Sequence, residues 1–277
     1  MSTIAQLLAL HCKLDSDSAR LDTELLIGHA LGKDRSYLYS WPEKEVEAEI
    51  ERRFTALFDR RVKGEPVAHI LGYREFWSLT LAVNNSTLIP RPETETLIEW
   101  VTELGLPKCS RVLDLGTGSG AIALALAMEN PDWEIDASDI SSAAVALATE
   151  NASRLQVENV RLQVSDWYQS VSAGAYDLIV SNPPYIKAND EHLQKGDLRF
   201  EPVSALVADN MGLADLEKII AGAGAFLADG GWLLLEHGYE QAPAVRAMLK
   251  QFGFSGVLTR CDLSGNDRIS GGVFSYG

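Results

Sequence analysis

The fold is decided by residues 112–121, which read Val112-Leu113-Asp114-Leu115-Gly116-Thr117-Gly118-Ser119-Gly120-Ala121. The apolar start of this segment predicts a buried strand, and a helix is expected to begin near its last residue. Three alternate glycines lie between the two elements. Glycine allows a sharp backbone turn and lets a ligand approach where a Cβ would stand in the way. Because a turn that serves structure alone rarely needs three glycines, the segment predicts a nucleotide-binding loop.

The loop by itself fits more than one nucleotide. Gly116, Gly118 and Ala121 satisfy the GxGxxA form of the dinucleotide fingerprint. A nicotinamide dinucleotide and S-adenosylmethionine therefore both remain open at this point.

Acidic and aromatic residues follow the next two predicted strands. Asp139 comes about twenty residues after the loop, where a carboxylate can accept hydrogen bonds from both hydroxyls of an adenosine ribose. Asp136 is a rival, but it lies inside the strand and is expected to face solvent. Further on, Asp166 could accept from an adenine amino group and Trp167 could pack on the ring. These residues predict an adenosine site.

A fourth predicted strand delivers Asn182-Pro183-Pro184-Tyr185 to the same edge of the sheet. The two prolines hold this segment extended and stiff, and neither has an N–H. The side-chain oxygen of Asn182 and the main-chain oxygen of Pro183 can therefore face one small group that offers two donors. An amide or aromatic NH2 is such a group, and Tyr185 could pack against its plane.

The tetrapeptide favours methyl transfer. Two convergent acceptors can orient the weakly nucleophilic NH2 nitrogen and stabilise the charge that grows on it. Hydride transfer gives the tetrapeptide no role, so the expected cofactor is S-adenosylmethionine, with S-adenosylhomocysteine as product. No metal is expected to take part.

Alternating strands and helices predict an α/β fold with a mostly parallel, seven-stranded Rossmann-like methyltransferase sheet covered on both sides. Strands are predicted at 111–115, 134–138, 160–164, 176–181, 231–236, 257–260 and 273–276. Helices are predicted at 120–129, 141–155, 212–227 and 240–252.

The N-terminal part has a different pattern. Residues 1–68 show apolar positions at helical spacing and predict a small helical bundle. Residues 69–86 are rich in β-branched and aromatic residues and predict a linking β-hairpin that includes His69. The methyltransferase domain is expected to cover 87–277.

Composition narrows the class of protein. The chain has 277 residues, is 46% hydrophobic and carries a formal net charge of −15. This charge weighs against stable nucleic-acid binding, which needs Lys and Arg, and favours a protein partner. No apolar stretch is long enough for a membrane span, and no signal peptide is evident, so a cytoplasmic location is expected. No heptad or long apolar patch demands a dimer, and a monomer is expected.

The sequence closely resembles the bacterial HemK/PrmC family of protein-(glutamine-N5) methyltransferases, which act on class-1 peptide chain release factors. The resemblance covers nearly the whole chain and rests on four segments. These are Asp114 to Gly120, Asn182-Pro183-Pro184-Tyr185, Ile89-Pro90-Arg91-Pro92-Glu93-Thr94-Glu95 and Arg199-Phe200-Glu201-Pro202.

The resemblance implies a substrate and roles for individual residues. The substrate would be the glutamine of a Gly-Gly-Gln motif, and the N-terminal helical domain would dock the partner. Asn182 and Pro183 would hold the glutamine amide, with Pro184 beside them and Tyr185 packed on it. For Arg91 and Glu93 two roles stay open, shaping the substrate pocket and starting a helix, and His237 is expected to be structural. The cofactor residues would be Gly116, Thr117, Gly118, Ser119, Gly120, Asp139, Asp166, Trp167 and Asn182.

Two other function classes stay open from sequence. The tetrapeptide also occurs in adenine-N6 and related nucleic-acid methyltransferases, so it indicates the reaction better than the substrate. A non-enzymatic protein that binds the cofactor as a structural ligand is the third hypothesis.

Overall fold

The computed structural model describes residues 1–194 and 196–276, which form two compact units. The helical unit comprises Met1–Tyr73 and Glu191–Phe200. The sheet unit comprises Arg74–Asp190 and Glu201–Gly277. The short segment that follows the Asn-Pro-Pro-Tyr tetrapeptide therefore belongs to the helical unit, which the sequence analysis did not foresee.

Short helices build the helical unit around one apolar core. Their bounds are α1 Ile4–Leu8, α2 Ala19–Leu31, α3 Arg35–Ser40, α4 Ala48–Val62 and α5 Val67–Leu71. Helix α1 begins with a capping box between Thr3 and Gln6, which satisfies two backbone donors at the helix start. Helix α2 ends at Gly32, whose φ of 63° gives the left-handed conformation typical of a helix end. The fully buried core residues include Ile4, Leu26, Leu38 and Phe54.

A buried arginine joins three parts of the helical unit. Arg61 in α4 forms ion pairs of 2.8 Å with Asp22 in α2 and of 2.9 Å with Asp197. Its Nη2 also donates to Ser16 Oγ at 3.0 Å. Since the Arg61 and Asp22 side chains are 8% and 7% exposed, their ion pair and the polar contacts around it replace the interactions that water would give.

The hairpin consists of β1 Tyr73–Phe76 and β2 Leu79–Ala82. Trp77 and Ser78 form its turn with φ of 47° and 62°, the left-handed values that two-residue hairpin turns require. The placement of His69 in the hairpin was wrong, because that residue lies in α5. Helix α5 continues until Gly72, whose left-handed backbone ends it.

The sheet unit contains the predicted seven-stranded sheet, with strand order β5-β4-β3-β6-β7-β9-β8. Strand β9 runs antiparallel to both of its neighbours, and the other ladders are parallel. The strands are β3 Arg111–Leu115, β4 Glu134–Asp139, β5 Val160–Val164, β6 Tyr176–Ser181, β7 Leu227–Glu236, β8 Phe254–Cys261 and β9 Asp267–Phe274. The prediction of an α/β fold with a mostly parallel, seven-stranded sheet is confirmed.

The last strand was misplaced by the sequence analysis. It was predicted at 273–276 but covers Asp267–Phe274. Gly271 and Gly272 lie inside it, and glycine weakens a strand pattern. A Cβ at Gly271 would approach Leu234 Cδ2 to 2.3 Å and Leu233 O to 2.6 Å, so close contact with β7 requires glycine there.

Helices cover both faces of the sheet. They are α6 Glu95–Glu103, α7 Ala121–Glu129, α8 Ser142–Leu155, α9 Asp209–Gly212, α10 Ala214–Ala223 and α11 Ala242–Gln251. Val112 of β3 packs into one apolar cluster with α6 and α7, whereas Leu113 and Leu115 pack into a second cluster with α10 and α11. The alternation along β3 thus serves a two-sided core. Within the described residues, none of the helices combines the length and apolar character needed to cross a bilayer.

Replacing Arg61 with alanine tests the buried ion pair. We expect Arg61→Ala to lower the free energy of unfolding of the helical unit by about 3–5 kcal/mol, because Asp22 would stay buried without its partner. Arg52 on the same helix is the matched control, since its ion pair with Glu49 is exposed. Arg52→Ala should change the stability by about 1 kcal/mol or less. Urea denaturation of the full chain measures both, and equal losses would contradict the assigned role.

Candidate active site

The strand register brings three loop residues together. Leu115 at the end of β3 pairs with Ser138 in β4 and with Ser181 at the end of β6. The carboxyl ends of these parallel strands therefore lie level at one edge of the sheet, where open α/β sheets bind ligands. The residues that leave the sheet next to one another at this edge are Gly116, Asp139 and Asn182.

The glycine loop is tied to the neighbouring strand through its backbone. The N–H groups of Gly116 and Thr117 donate to Ser138 O at 2.8 and 2.9 Å. Gly116, Gly118 and Gly120 have φ of 73°, 57° and 85°, which L-residues with a side chain rarely adopt. The loop thus needs glycine at these positions for its conformation alone.

Asp139 connects the loop to helix α8. Its Oδ2 accepts from Gly118 N and its Oδ1 from Ser141 N, each at 2.9 Å. Burial raises the pKa of this carboxyl, and the two backbone hydrogen bonds oppose that rise. Each oxygen has a further lone pair, so the carboxylate can still accept from ligand hydroxyls.

Trp167 closes the site above the loop. Its ring lies 3.5 Å from the position that a Cβ on Gly116 would occupy. The residue has a φ of 47°, and its carbonyl accepts from Ser165 Oγ at 2.8 Å. Asp166 lies beside it and accepts from Gln169 Nε2 at 3.2 Å.

Asn182 belongs to a chain of hydrogen bonds that reaches the end of β7. Its Nδ2 donates to Thr94 Oγ1 at 3.1 Å. The Thr94 hydroxyl donates to Glu236 Oε2 at 2.7 Å, and the Tyr185 hydroxyl donates to Glu236 Oε1 at 3.1 Å. Its amide nitrogen is committed to Thr94, and among the described residues its side-chain oxygen has no donor, so this oxygen can accept from a ligand.

A cavity of about 400 Å³ lies in the sheet unit at this edge, and its volume suits a small-molecule site. The predicted residues that line it are Arg91, Gly116, Thr117, Gly118, Ser119, Asp139, Asp166, Trp167, Asn182 and Pro184.

Family models match both parts of the chain. Residues 4–72 match the PrmC N-terminal domain, and residues 92–198 match the Methyltransferase small domain. The chain is 52% identical to the release factor glutamine methyltransferase of Shewanella oneidensis, over 93% of this chain and 90% of the relative. The Pseudomonas aeruginosa relative of the same name is 53% identical over 99% of this chain and 100% of its own length.

The chain belongs to the release factor glutamine methyltransferase family.

The fold also occurs in more distant enzymes. The crystal structure of the hMettl16 catalytic domain in complex with an RNA hairpin of the MAT2A 3'UTR has a TM-score of 0.60. It covers 76% of this chain and 82% of the other, at 18% sequence identity. At this identity the likeness shows the shared methyltransferase fold alone, so it does not favour a nucleic-acid substrate for this family member.

Several predicted residues lie outside the lining of the cavity. Pro183 is buried, and the Tyr185 ring packs against the second apolar cluster while its hydroxyl contacts Glu236. Glu93 is exposed, although the neighbouring Arg91 lines the cavity and pairs with Glu201 at 2.5 Å. Direct contacts of Pro183, Tyr185 and Glu93 with a substrate therefore stay predictions.

Gly120 has a packing role that the sequence analysis did not separate from ligand binding. It also lies outside the lining of the cavity. A Cβ there would approach Leu124 Cδ1 to 2.9 Å and the Ala148 Cβ to 3.2 Å. Gly120 thus lets α7 and α8 approach each other, and its contact with the cofactor stays a prediction.

The expectation that Asp136 faces solvent was wrong. Asp136 is 9% exposed, and its carboxylate accepts a hydrogen bond from the Tyr176 hydroxyl at 2.7 Å. Arg111 lies 3.6 Å from the same carboxylate oxygen. The strand position therefore serves a buried polar contact on the sheet, away from the cavity.

His237 is fully buried beside the strand end. Its Nδ1 donates to Gly238 O at 2.9 Å, which leaves Nε2 to accept from Ser270 Oγ at 2.7 Å. Burial lowers the pKa of this imidazole. Both ring nitrogens are occupied by the fold, as expected for a structural residue.

Sequence reasoning missed several residues of the site. Ile140 and Ser141 line the cavity and directly follow Asp139, so the position of the acid could have indicated them. Thr94 also lines the cavity, and its contact with Glu236, which is not part of the lining, links positions far apart in the chain. The other missed lining residues are Phe76, Ser86, Thr87, Leu88, Pro90, Ala121, Ile122, Ala144, Ser165, Ser204, Ala205, Val207, Asp215 and Lys218.

A pair of glycine substitutions tests the packing role of Gly120. Gly105 has a φ of 63° and open space around its Cα, so Gly105→Ala should cost only the left-handed strain of about 1 kcal/mol. Gly120→Ala adds the clash with Leu124 and Ala148, and we expect a further loss of about 1–3 kcal/mol. Urea denaturation monitored by tryptophan fluorescence measures the free energy of unfolding of both variants. Equal losses would mean that α7 and α8 do not depend on this contact.

Proposed function

We propose that this chain transfers the methyl group of S-adenosylmethionine to the side-chain amide nitrogen (N5) of a release-factor glutamine. The target is the glutamine in the Gly-Gly-Gln motif of class-1 peptide chain release factors. The observation that carries the proposal is Asn182, whose Nδ2 donates to Thr94 and whose oxygen is thereby free beside the glycine loop. Family membership supports the same substrate, because relatives about 50% identical to this chain are named release factor glutamine methyltransferase.

The residues of the cavity fit the cofactor. Thr87 is 2% exposed and lines the cavity, and its Oγ1 has no partner among the residues that the structure describes. Buried polar atoms rarely remain unpaired, so a ligand group at this position would satisfy it. Asp139 offers acceptors for ribose hydroxyls, and the Trp167 ring offers an apolar wall for adenine. S-adenosylmethionine, when bound, supplies a methyl group on a positively charged sulfur.

The chain's own contribution to methyl transfer is orientation. An amide nitrogen is a poor nucleophile because its lone pair is delocalised into the carbonyl. Acceptors at Asn182 Oδ1 and Pro183 O would take one hydrogen bond each from the NH2 group and thus fix the direction of its lone pair. They also stabilise positive charge as it grows on the nitrogen. Holding the two reactants in line accounts for the catalysis without a strong base before the transfer step.

The helical unit is proposed to dock the release factor. Its match to the PrmC N-terminal domain supports a role separate from the cavity of the sheet unit. The net charge of −15 favours a partner with a basic surface and does not favour stable nucleic-acid binding. We propose that the protein acts as a cytoplasmic monomer.

The substrate assignment is tested by peptide mass. The chain is incubated with S-adenosylmethionine and unmodified release factor, and the Gly-Gly-Gln peptide should gain one methyl group. Asn182→Ala should lower the rate by about a hundredfold or more, because an acceptor aimed at developing charge is lost. Asn85, which is exposed, is the control, and Asn85→Ala should methylate normally. A peptide that stays unmodified with the unaltered protein would refute the proposed substrate.

The cofactor assignment is tested at Asp139. We expect Asp139→Ala to weaken S-adenosylmethionine binding about tenfold to a hundredfold, since hydrogen bonds to a charged group are lost. Asp132→Ala is the control variant, because Asp132 is partly exposed and pairs with Lys108 at the surface. Isothermal titration calorimetry measures both variants. Unchanged affinity in Asp139→Ala would remove this carboxylate from the cofactor site.

A further inference from the structure

The buried carboxylate of Glu236 has no assigned task in the proposed reaction. It ends strand β7, is 1% exposed, and accepts hydrogen bonds from the hydroxyls of Thr94 and Tyr185. Both of those hydroxyls belong to segments beside the cavity. Burying a carboxylate is costly, so its presence here calls for a reason beyond packing.

When Glu236 is ionised, chemistry fixes the direction of the hydrogen bonds around it. An ionised carboxylate has no proton and can only accept. The Thr94 hydroxyl has a single proton, which it commits to Glu236, and it can then only accept from Asn182. The atom of Asn182 that faces Thr94 must therefore be the Nδ2 donor. Its oxygen is directed elsewhere as a consequence.

We propose that Glu236 is a positioning residue that makes Asn182 present an acceptor, and not a donor, to the substrate nitrogen. The proposal rests on the proposed function, because an NH2 substrate needs an acceptor at this point. The carboxylate acts through Thr94 on Asn182 and holds Tyr185 on its other oxygen. Glu236 touches no reacting atom in this account.

A donor at position 236 would remove this control. The amide of Glu236→Gln can donate to Thr94 Oγ1, which frees the threonine proton to point at Asn182. The Asn182 side chain could then turn over and place its Nδ2 towards the substrate NH2. Two donors facing each other do not bind, so the variant loses orientation without losing volume.

The groups that face Glu236 come from several elements. Tyr185 follows β6, Thr94 and Glu93 lie before α6, and Arg268 lies on β9. Burial raises the pKa of Glu236 to about 7, and the nearby charge of Glu93 adds to the rise. The hydrogen bonds from Thr94 and Tyr185 and the charge of Arg268 oppose it. A protonated Glu236 can donate, so methyl transfer should fall as the pH drops through this pKa.

The test combines kinetics with variants of matched size. Thr94→Val removes the hydroxyl, and Thr94→Ser keeps it. Glu236→Gln and Thr94→Val should lower kcat about tenfold to a hundredfold with a smaller change in KM, as expected for a lost hydrogen bond to a charged group. Thr94→Ser should retain kcat. Glu99→Gln, an exposed site on α6, is the control and should match the unaltered protein.

A binding measurement gives a readout that does not depend on turnover. With S-adenosylhomocysteine present, the unaltered protein should bind a Gly-Gly-Gln peptide more tightly than a Gly-Gly-Glu peptide. Glu236→Gln should reduce that preference, while its affinity for S-adenosylhomocysteine and its melting temperature stay close to the control. Unchanged kcat and preference in a folded Glu236→Gln variant, or equal damage by Thr94→Ser and Thr94→Val, would overturn the proposal.

A separate signal distinguishes failure of this proposal from failure of the proposed function. The side-chain NH2 signals of Asn182 in nitrogen-15 NMR are identified by their loss in Asn182→Ala. They should lie at the same chemical shifts in the unaltered protein and in Glu99→Gln, and at different chemical shifts in Glu236→Gln. Should the peptide stay unmethylated while this difference is seen, the substrate assignment fails and the polarity of the network stands. Identical Asn182 chemical shifts in a folded Glu236→Gln variant would overturn the network.

Discussion

The whole site depends on the parallel register of β3 with its two neighbours. Because Leu115 is level with Ser138 and Ser181, the chain leaves three strands at one height. The glycine loop, Asp139 and the Asn-Pro-Pro-Tyr tetrapeptide therefore lie side by side at this edge of the sheet. A slip by one residue would turn every side chain of a strand to the opposite face, so that Val112 and Leu113 would each point towards the other apolar cluster. Stability of the sheet and geometry of the site are therefore set by the same hydrogen bonds.

Three buried carboxylates at this edge differ in the donors that hold them. Asp139 is held by two backbone N–H groups and faces the loop, which suits a ligand with hydroxyl groups. Glu236 is held by two side-chain hydroxyls and faces the tetrapeptide. Asp114, fully buried under the loop with its pKa raised to about 7 by burial, accepts from Thr117 at 2.7 Å. Each carboxylate orders neighbouring donors, and together they determine which atoms are left to face the cavity.

Sequence reasoning succeeded where a local pattern carries the physical cause. Alternating apolar strands predicted the sheet, and Gly116 and Gly118 of the predicted loop line the cavity, while their contact with a cofactor stays a prediction. It failed where the cause is tertiary. The last strand was predicted at 273–276, whereas Gly271 lies inside the observed strand and admits close contact with β7. The Thr94–Glu236 contact joins segments 142 positions apart, and no spacing rule reveals such a pair. The assignment of residues 191–200 to the helical unit likewise depends on contacts that follow from folding, such as Arg61 with Asp197.

A crystal structure of the protein with S-adenosylhomocysteine and a Gly-Gly-Gln peptide would show whether this edge of the sheet orients a glutamine amide through acceptors. We expect the glutamine NH2 group to lie within hydrogen-bond distance of Asn182 Oδ1 and Pro183 O, with Asn182 Nδ2 still on Thr94. A glutamine whose carbonyl oxygen faces Asn182, or a peptide bound outside this cavity, would contradict it.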